Sequence, residues 1–393
     1  MESSAPLHQT LPDGRFVVPA EHRPPASTDG AVSLPVIDLS LPRDEVRRAV
    51  LDAGRDLGFF QVINHGVPEE AMADMEAACA EFFGLPAEDE AKARYYSEDT
   101  DRTNRLFSST MYEVAGERYW RDCLRLAVFP VDRTRSGWPE KPPRFRERFD
   151  AARGDAPPAA AGIGLRPDYF DGDLSAGDAI VNHYPPCPDP GLTLGLPPHC
   201  DRNLITLLLQ GPVCGLQVAY DDGGRWIDVD PVPGALVVNF GHQLEIATNG
   251  LLKSVEHRAV TNSAHPRTSV ATFIMPTMDS VIGPAEELLK APRPPPPPPP
   301  AVPRSFTFRE FTPRERQKGI QALRWTITFT SHLQQEIVFC NHAKYKLIKK
   351  LLLDVAVTGT LNSQSNIRRN KSSFTRLVQE HRLVKERAPV YMM

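Results

Sequence analysis

The stretch "PPHCDRNLITLLLQ" (197–210) sets a histidine and an aspartate around a cysteine, immediately before an apolar run. In an extended chain, positions i and i+2 share a face. His199 and Asp201 can therefore aim an imidazole and a carboxylate at one point, while Cys200 points elsewhere. The run that follows, Leu204 to Leu209, reads as a strand. Further short apolar runs come after it: "CGLQVA" (214–219), "RWIDV" (225–229), "ALVVNF" (235–240) and "SVATFI" (269–274). Turn signals such as Asp221-Asp222-Gly223-Gly224 and Pro233-Gly234 separate them. Strands at this spacing predict a β-sandwich or barrel.

Two ligands do not make a metal site, so a third is expected from a distant strand. "SVEHRAVTN" (254–262) offers His257. Two histidines and one carboxylate on one face leave three positions open, the arrangement used for non-haem Fe(II) and oxygen chemistry. Ten residues further on, Arg267 and Ser269 form another i, i+2 pair entering "VATFIMP". A buried guanidinium needs an anion, and its fork with a neighbouring hydroxyl suits a carboxylate. Upstream, "NHYPPC" (182–187) holds Asn182 and Tyr184 at the same spacing, and Tyr184 can add a phenolic hydrogen bond. A zinc hydrolase would need an added general base and has no use for an Arg-x-Ser clamp.

The first part of the chain reads as mixed α/β. "LPVIDLS" (34–40) is a short strand. Val46, Val50, Ala53 and Leu57 mark one face of a helix. "GFFQVINHG" (58–66) is a second strand, and Pro68 and Gly84-Leu85-Pro86 bracket a helix whose face carries Met72, Met75, Cys79 and Phe82.

Composition narrows the class. The chain has 393 residues, 41% hydrophobic and 24% charged, as soluble globular proteins do. A net charge of −4 gives no general reason to expect nucleic acid. No apolar run approaches the ~18 residues needed to span a membrane, and "MESSAPLHQTLPDGRF" has no signal-peptide core. The six cysteines form no CxxC pair and read as reduced thiols in a cytoplasmic protein. Residues 1–33 are expected to be a poorly ordered lead-in. "APRPPPPPPP" (291–300) reads as a stiff polyproline spacer. Residues 341–393 then carry eleven Lys/Arg against three Asp/Glu, a basic tail unlike the acidic body.

These segments together resemble the plant Fe(II)/2-oxoglutarate-dependent dioxygenases. "NHYPPCPDP", "LPPHCDRNLITLLLQ", "VCGLQV", "VVNFGHQLEIATNGLLKSVEHRAVTN" and "RTSVATFIMP" carry the likeness in the second half. "LPVIDLS", "GFFQVINHGV" and "YWRDCLRL" (119–126) carry it in the first. The likeness covers roughly residues 34–311. It implies a mainly β fold with flanking helices: a double-stranded β-helix, or cupin-like jelly-roll, behind an N-terminal α/β region. It implies Fe(II) on His199, Asp201 and His257, and 2-oxoglutarate held by Arg267 and Ser269 with Tyr184 and Asn182. It further implies a small, polar, amino-acid-derived or specialised metabolite as substrate, O2 as oxidant and ascorbate as reductant. The products would be succinate and CO2, with hydroxylation as the commonest outcome. A monomer without nucleic-acid or membrane partners is expected.

The expected organisation is an N-terminal dioxygenase region (34–135), a shortened helical connection (136–176), the dioxygenase core (177–290), the polyproline linker (291–303) and a divergent tail (304–393). The resemblance is broken in three ways. Between "RFRERFDAAR" (144–153) and "GIGLRPDYFDGDLSAGD" (162–178) only "GDAPPAAA" stands where relatives carry a long helix. "GDAIVNHYPPC" is shorter than usual, which is expected to shift Tyr184. "RSFTFREF" (304–311) resembles the family's C-terminal helix, and nothing after it does. A second reading, a non-catalytic or unstable product on the same fold, rests on these departures.

Overall fold

A computed structural model of the 393-residue chain describes residues 14–24, 32–99, 102–109, 118–128, 134–151, 178–220, 225–277, 279–284 and 306–308. Residues 152–176 of the shortened connection, the polyproline run and the basic tail lie outside the described residues.

Fourteen strands and five α-helices are described. The strands are β1 (Val36–Asp38), β2 (Phe59–Ile63), β3 (Arg105–Ser108), β4 (Asp122–Ala127), β5 (Asp178–Tyr184), β6 (Leu196–His199) and β7 (Ile205–Leu209). They continue with β8 (Leu216–Tyr220), β9 (Arg225–Asp228), β10 (Leu236–Phe240), β11 (His257–Ala259), β12 (Arg267–Ile274), β13 (Val281–Ile282) and β14 (Phe306–Thr307). The helices are α1 (Arg43–Asp56), α2 (Glu69–Gly84), α3 (Glu90–Ala93), α4 (Phe145–Ala151) and α5 (His242–Ala247).

Eight strands form one sheet in the order β1-β2-β10-β7-β12-β5-β4-β3, and four form a second in the order β6-β11-β8-β9. This is the jelly-roll arrangement expected from the sequence. The N-terminal strands do not stand apart: β2 pairs with β10, and β4 with β5. The boundary drawn between N-terminal region and core is therefore one of sequence, crossed by a continuous hydrogen-bonded sheet.

Alternation along the large sheet separates two environments. One face carries Val62, Leu106, Leu124, Val181, Leu207 and Val238, which share a core with Val46, Val50, Met72, Met75 and Phe82 of α1 and α2. Each such side chain contributes about 1.5–3 kcal/mol by leaving water. The other face turns toward the small sheet. There Phe59 and Val237 pack with Leu216, Val218 and Ile227, and the remaining inner positions are largely polar.

Two expectations need correction. Part of the lead-in is packed: Phe16 clusters with Trp120 and Cys187, and Val18 with Tyr119 and Leu194. The amide of Val18 also donates to Leu192 O at 2.9 Å. Two apolar residues in a Pro-rich segment are enough to seat it once the barrel supplies a surface. Within the segment likened to a C-terminal helix, Phe306 and Thr307 form strand β14 against β13. Phe308 then buries itself beside Ile282, Ile246 and Met275.

Candidate metal centre and cosubstrate pocket

His199 is the last residue of β6, and His257 the first of β11. The two stand directly opposite each other, and the register shifts just beyond His257. Such an irregularity re-aims side chains next to a site. The imidazole centroids are 4.2 Å apart. The edge of Phe59, from β2, supports the His257 ring at 5.0 Å.

Asp201 reaches the same point by another route than the strand alternation predicted. β6 ends at His199, and Asp201 lies in the loop leading to β7. The main chain after β10 clamps that loop. His242 N–H donates to Asp201 O at 2.8 Å, Gly241 N–H to Leu204 O at 2.9 Å, and Gln243 N–H to Asn203 O at 3.1 Å. Gly241 is required here by space, because a Cβ would collide with the carbonyl oxygen of Asn203.

The three side chains bring one ligand atom each within 4.8 Å of the others, and all three are buried. Both Nε2 atoms are 3.8 Å from Asp201 Oδ1. The imidazole Nδ1 atoms face the main chain instead, His199 toward Pro197 O at 2.9 Å and His257 toward Val255 O at 3.3 Å. A carbonyl partner holds the proton on Nδ1 and leaves Nε2 as a lone-pair donor. Asp201 Oδ2 is occupied by Asn239 Nδ2 at 2.8 Å and by the Thr206 hydroxyl, leaving Oδ1 toward the imidazoles. Burial, with His257 next to it, pushes the His199 imidazole down to about 3, so it stays neutral. Burial works against charge on Asp201 as well. The imidazoles of His257 and His199 and the bonds from Asn239 and Thr206 outweigh it, so the carboxyl is held below its usual range. Two nitrogen donors and one carboxylate oxygen, each oriented from behind, fit a divalent first-row cation. Cys200 faces away, its Sγ 3.7 Å from Ser254 O.

Arg267 and Ser269 open β12, directly across from Tyr184 and Asn182 of β5. The two i, i+2 pairs are thus neighbours on one inner face. Arg267 is 2% exposed; its Nε donates to Val213 O at 3.1 Å and its Cζ lies 5.2 Å from the Tyr184 ring centroid. Burial lowers the guanidinium below its ordinary value, while Tyr184 works the other way. Gly215, at φ +154°, leaves room for it: a Cβ there would stand 3.0 Å from Arg267 Cδ.

Sequence reading missed three supports. Asn239 and Thr206 orient Asp201, and Arg121 donates to Asn182 Oδ1 at 2.6 Å and to Ser109 O at 3.1 Å. Asn239 and Thr206 carry a weak signal, a polar residue inside an apolar run. Arg121 lies in "YWRDCLRL", where nothing local points to Asn182.

Residues 176–276 match the family described as 2OG-Fe(II) oxygenase superfamily, and residues 34–146 the non-haem dioxygenase in morphine synthesis N-terminal family. The chain is 56% identical over 302 residues to the 2′-deoxymugineic-acid 2′-dioxygenase of Hordeum vulgare, covering 74% of this chain and 87% of that protein. It is 51% identical to the Mugineic-acid 3-dioxygenase of the same plant, with the same coverage. Hyoscyamine 6-dioxygenase of Hyoscyamus niger is 37% identical, over 71% of this chain and 86% of that protein. Among solved structures, JOX2 in complex with 2OG, Fe and JA superposes with a TM-score of 0.65 at 32% identity, covering 84% of this chain and 96% of that one.

Proposed function

The chain belongs to the 2OG-Fe(II) oxygenase superfamily, and on that premise we propose that His199, Asp201 and His257 hold Fe(II) while Arg267, Ser269, Tyr184 and Asn182 hold 2-oxoglutarate. As a dioxygenase it hydroxylates a small polar metabolite, and the mugineic-acid class is best supported by the two barley relatives. The observation that carries this reading is the convergence of two imidazole nitrogens and one carboxylate oxygen within 4.8 Å, beside a buried Arg-x-Ser pair.

Bound iron supplies the redox chemistry that couples O2 to oxidation of 2-oxoglutarate and substrate. The rest falls to the chain. The carbonyls of Pro197 and Val255 keep the imidazoles aimed. Asn239 and Thr206 keep Asp201 ionised and turned. Arg267 pairs with the distal carboxylate in a water-poor pocket, where the charge pair is stronger than in water. Arg121 fixes the Asn182 amide by donating to its Oδ1, which would leave the side-chain NH2 to donate to the cosubstrate.

Ascorbate as reductant, a monomeric state, a cytoplasmic location and the absence of nucleic-acid or membrane partners complete the proposal. Among the described residues no helix is long and apolar enough to cross a membrane. The test is succinate release by the purified chain with Fe(II), 2-oxoglutarate and ascorbate, offered 2′-deoxymugineic acid and mugineic acid in turn. Substrate-stimulated succinate with a hydroxylated product is expected. Neither binding of 2-oxoglutarate nor succinate under any of these conditions would end the reading.

A further inference from the structure

Gln210 directly follows β7 and is 4% exposed. Neither its Nε2 nor its Oε1 has a hydrogen-bond partner among the described residues. A buried amide left unpaired at both ends is costly, and native proteins seldom keep one without a use for it. Alternation gives its direction. Leu207 and Leu209 lie in the helix-side core, whereas Thr206 bonds Asp201 from the inner face. Gln210 continues the inner series.

The main chain fixes its neighbours. Leu209 pairs with Val270 in an antiparallel ladder, so the next step sets Gln210 beside Ser269. The chain stays close to β12 past the end of β7: Gly211 has φ +73°, and a Cβ there would stand 2.6 Å from Thr268 O. Val213 O then accepts from Arg267 Nε at 3.1 Å, and Gly215 lies against the Arg267 side chain. Residues 210–215 thus wrap the guanidinium. Ser269 pairs with Asn182 on its other side. Gln210, Ser269 and Asn182 therefore form one polar row across three neighbouring strands. Arg267 follows about 7 Å along β12, at the rise of a strand.

A carboxylate has about four lone-pair sites on its two oxygens. A guanidinium fork takes two and the Ser269 hydroxyl a third, which leaves one for another donor. Arg267 already balances the single negative charge, and a second cation would be buried without an anion of its own. The remaining donor is therefore best neutral, as an amide is. We propose that Gln210 is a further cosubstrate-binding residue, its Nε2 donating to the distal carboxylate of 2-oxoglutarate and so helping to select a 2-oxo diacid over a 2-oxo monoacid. This rests on the dioxygenase reading and adds a donor from β7 to the side-chain pairs of β5 and β12.

The test is calorimetric titration of the full chain, loaded with Fe(II) under nitrogen. The probes are 2-oxoglutarate and 2-oxopentanoate, which carries a methyl group in place of the distal carboxylate. The wild type should prefer the diacid. Gln210→Met keeps the volume and removes both polar atoms. It should shrink that preference roughly tenfold to a hundredfold, the range for a hydrogen bond to a charged group. Binding of 2-oxopentanoate and of Fe(II) should stay as in the wild type. Gln210→Glu sets a carboxylate beside Arg267 where the ligand's should lie. It should lose more 2-oxoglutarate affinity than Gln210→Met, while its ligand-free melting temperature is not lowered. A merely structural glutamine would give the opposite pair, a lowered melting temperature with the diacid preference kept. Melting curves show whether each variant is folded, and Gln210→Glu carries the test if Gln210→Met is not. Equal binding of the two probes by the wild type, or folded variants with undiminished preference, overturns this inference alone. A wild type that takes up neither Fe(II) nor 2-oxoglutarate takes down the dioxygenase reading and this inference with it.

Discussion

The two faces of the large sheet are built from the same strands and do opposite work. On β5, Val181 turns to the helices and Asn182 to the pocket; on β7, Leu207 and Thr206 divide in the same way; on β10, Val238 and Asn239 do. The helix side is continuous and apolar, so its contributions are spread over many side chains. The inner side is sparse and polar, with Asn239, Thr206, Asn182 and Arg267 each tied to a specific partner. A substitution on the first face should cost stability with little change in ligand affinity, and one on the second should do the reverse.

The largest break in that contrast is expected at the metal centre. Asp201→Ala should weaken Fe(II) binding more than about a hundredfold, beyond the range for losing an outer-shell partner, while the melting temperature of the metal-free protein falls little. Metal titration beside thermal melting reads both, and a wild-type affinity in Asp201→Ala would discard the triad. Leu207→Ala, one residue away from Thr206 in sequence, should cost about 2–5 kcal/mol of stability. Its folded fraction should bind Fe(II) as the wild type does, as denaturant melts with and without metal would show.

Arg267→Ala sharpens the contrast inside the pocket. It should raise the 2-oxoglutarate requirement roughly tenfold to a hundredfold and leave the iron requirement nearly unchanged, because it removes only the distal anchor. Equal rises in both would reassign Arg267 to a structural role. Asn239→Ala should weaken Fe(II) binding by about tenfold, at the lower end for a group that orients a ligand.

The smallest effect belongs to an exception on the apolar face. His183 stacks on Phe83 at 4.7 Å and meets Thr268 Oγ1 at 2.9 Å. Burial, with Lys92 adding to it, pushes its imidazole down to about 4 from its ordinary value of about 6.5. Between those values the unfolded chain holds the proton and the folded chain does not. Stability is therefore complete above about 6.5 and is lost as pH falls toward about 4. His183→Gln should flatten that part of the stability–pH curve; an unchanged slope would show that other groups set it.

Much of the site could be read from spacing because its pieces are local pairs. His199 with Asp201, Arg267 with Ser269, and Asn182 with Tyr184 each span two residues, and alternation joins each pair without knowledge of the fold. The exception is informative: Asp201 converges although β6 ends before it, because main-chain bonds from Gly241 and His242 fold the loop back. What could not be read is held across long separations. Asn239 meets Asp201 from 38 residues away, and Arg121 meets Asn182 from 61. Register between strands decides such contacts, and no local pattern encodes it.

The sequence alone determined the donor types, their pairing along each strand and the apolar alternation, and hence a β-sandwich or barrel with a candidate His-Asp-His triad; the resemblance to a known family added the jelly-roll. Tertiary structure alone decided which oxygen of Asp201 faces the imidazoles, that Arg267 stands across from Tyr184, and that β7 brings Gln210 beside Ser269. The reason is that alternation follows from backbone geometry two residues at a time. Facing partners depend on how separately coded strands close into a barrel, where a shift of one residue would turn every inner side chain outward.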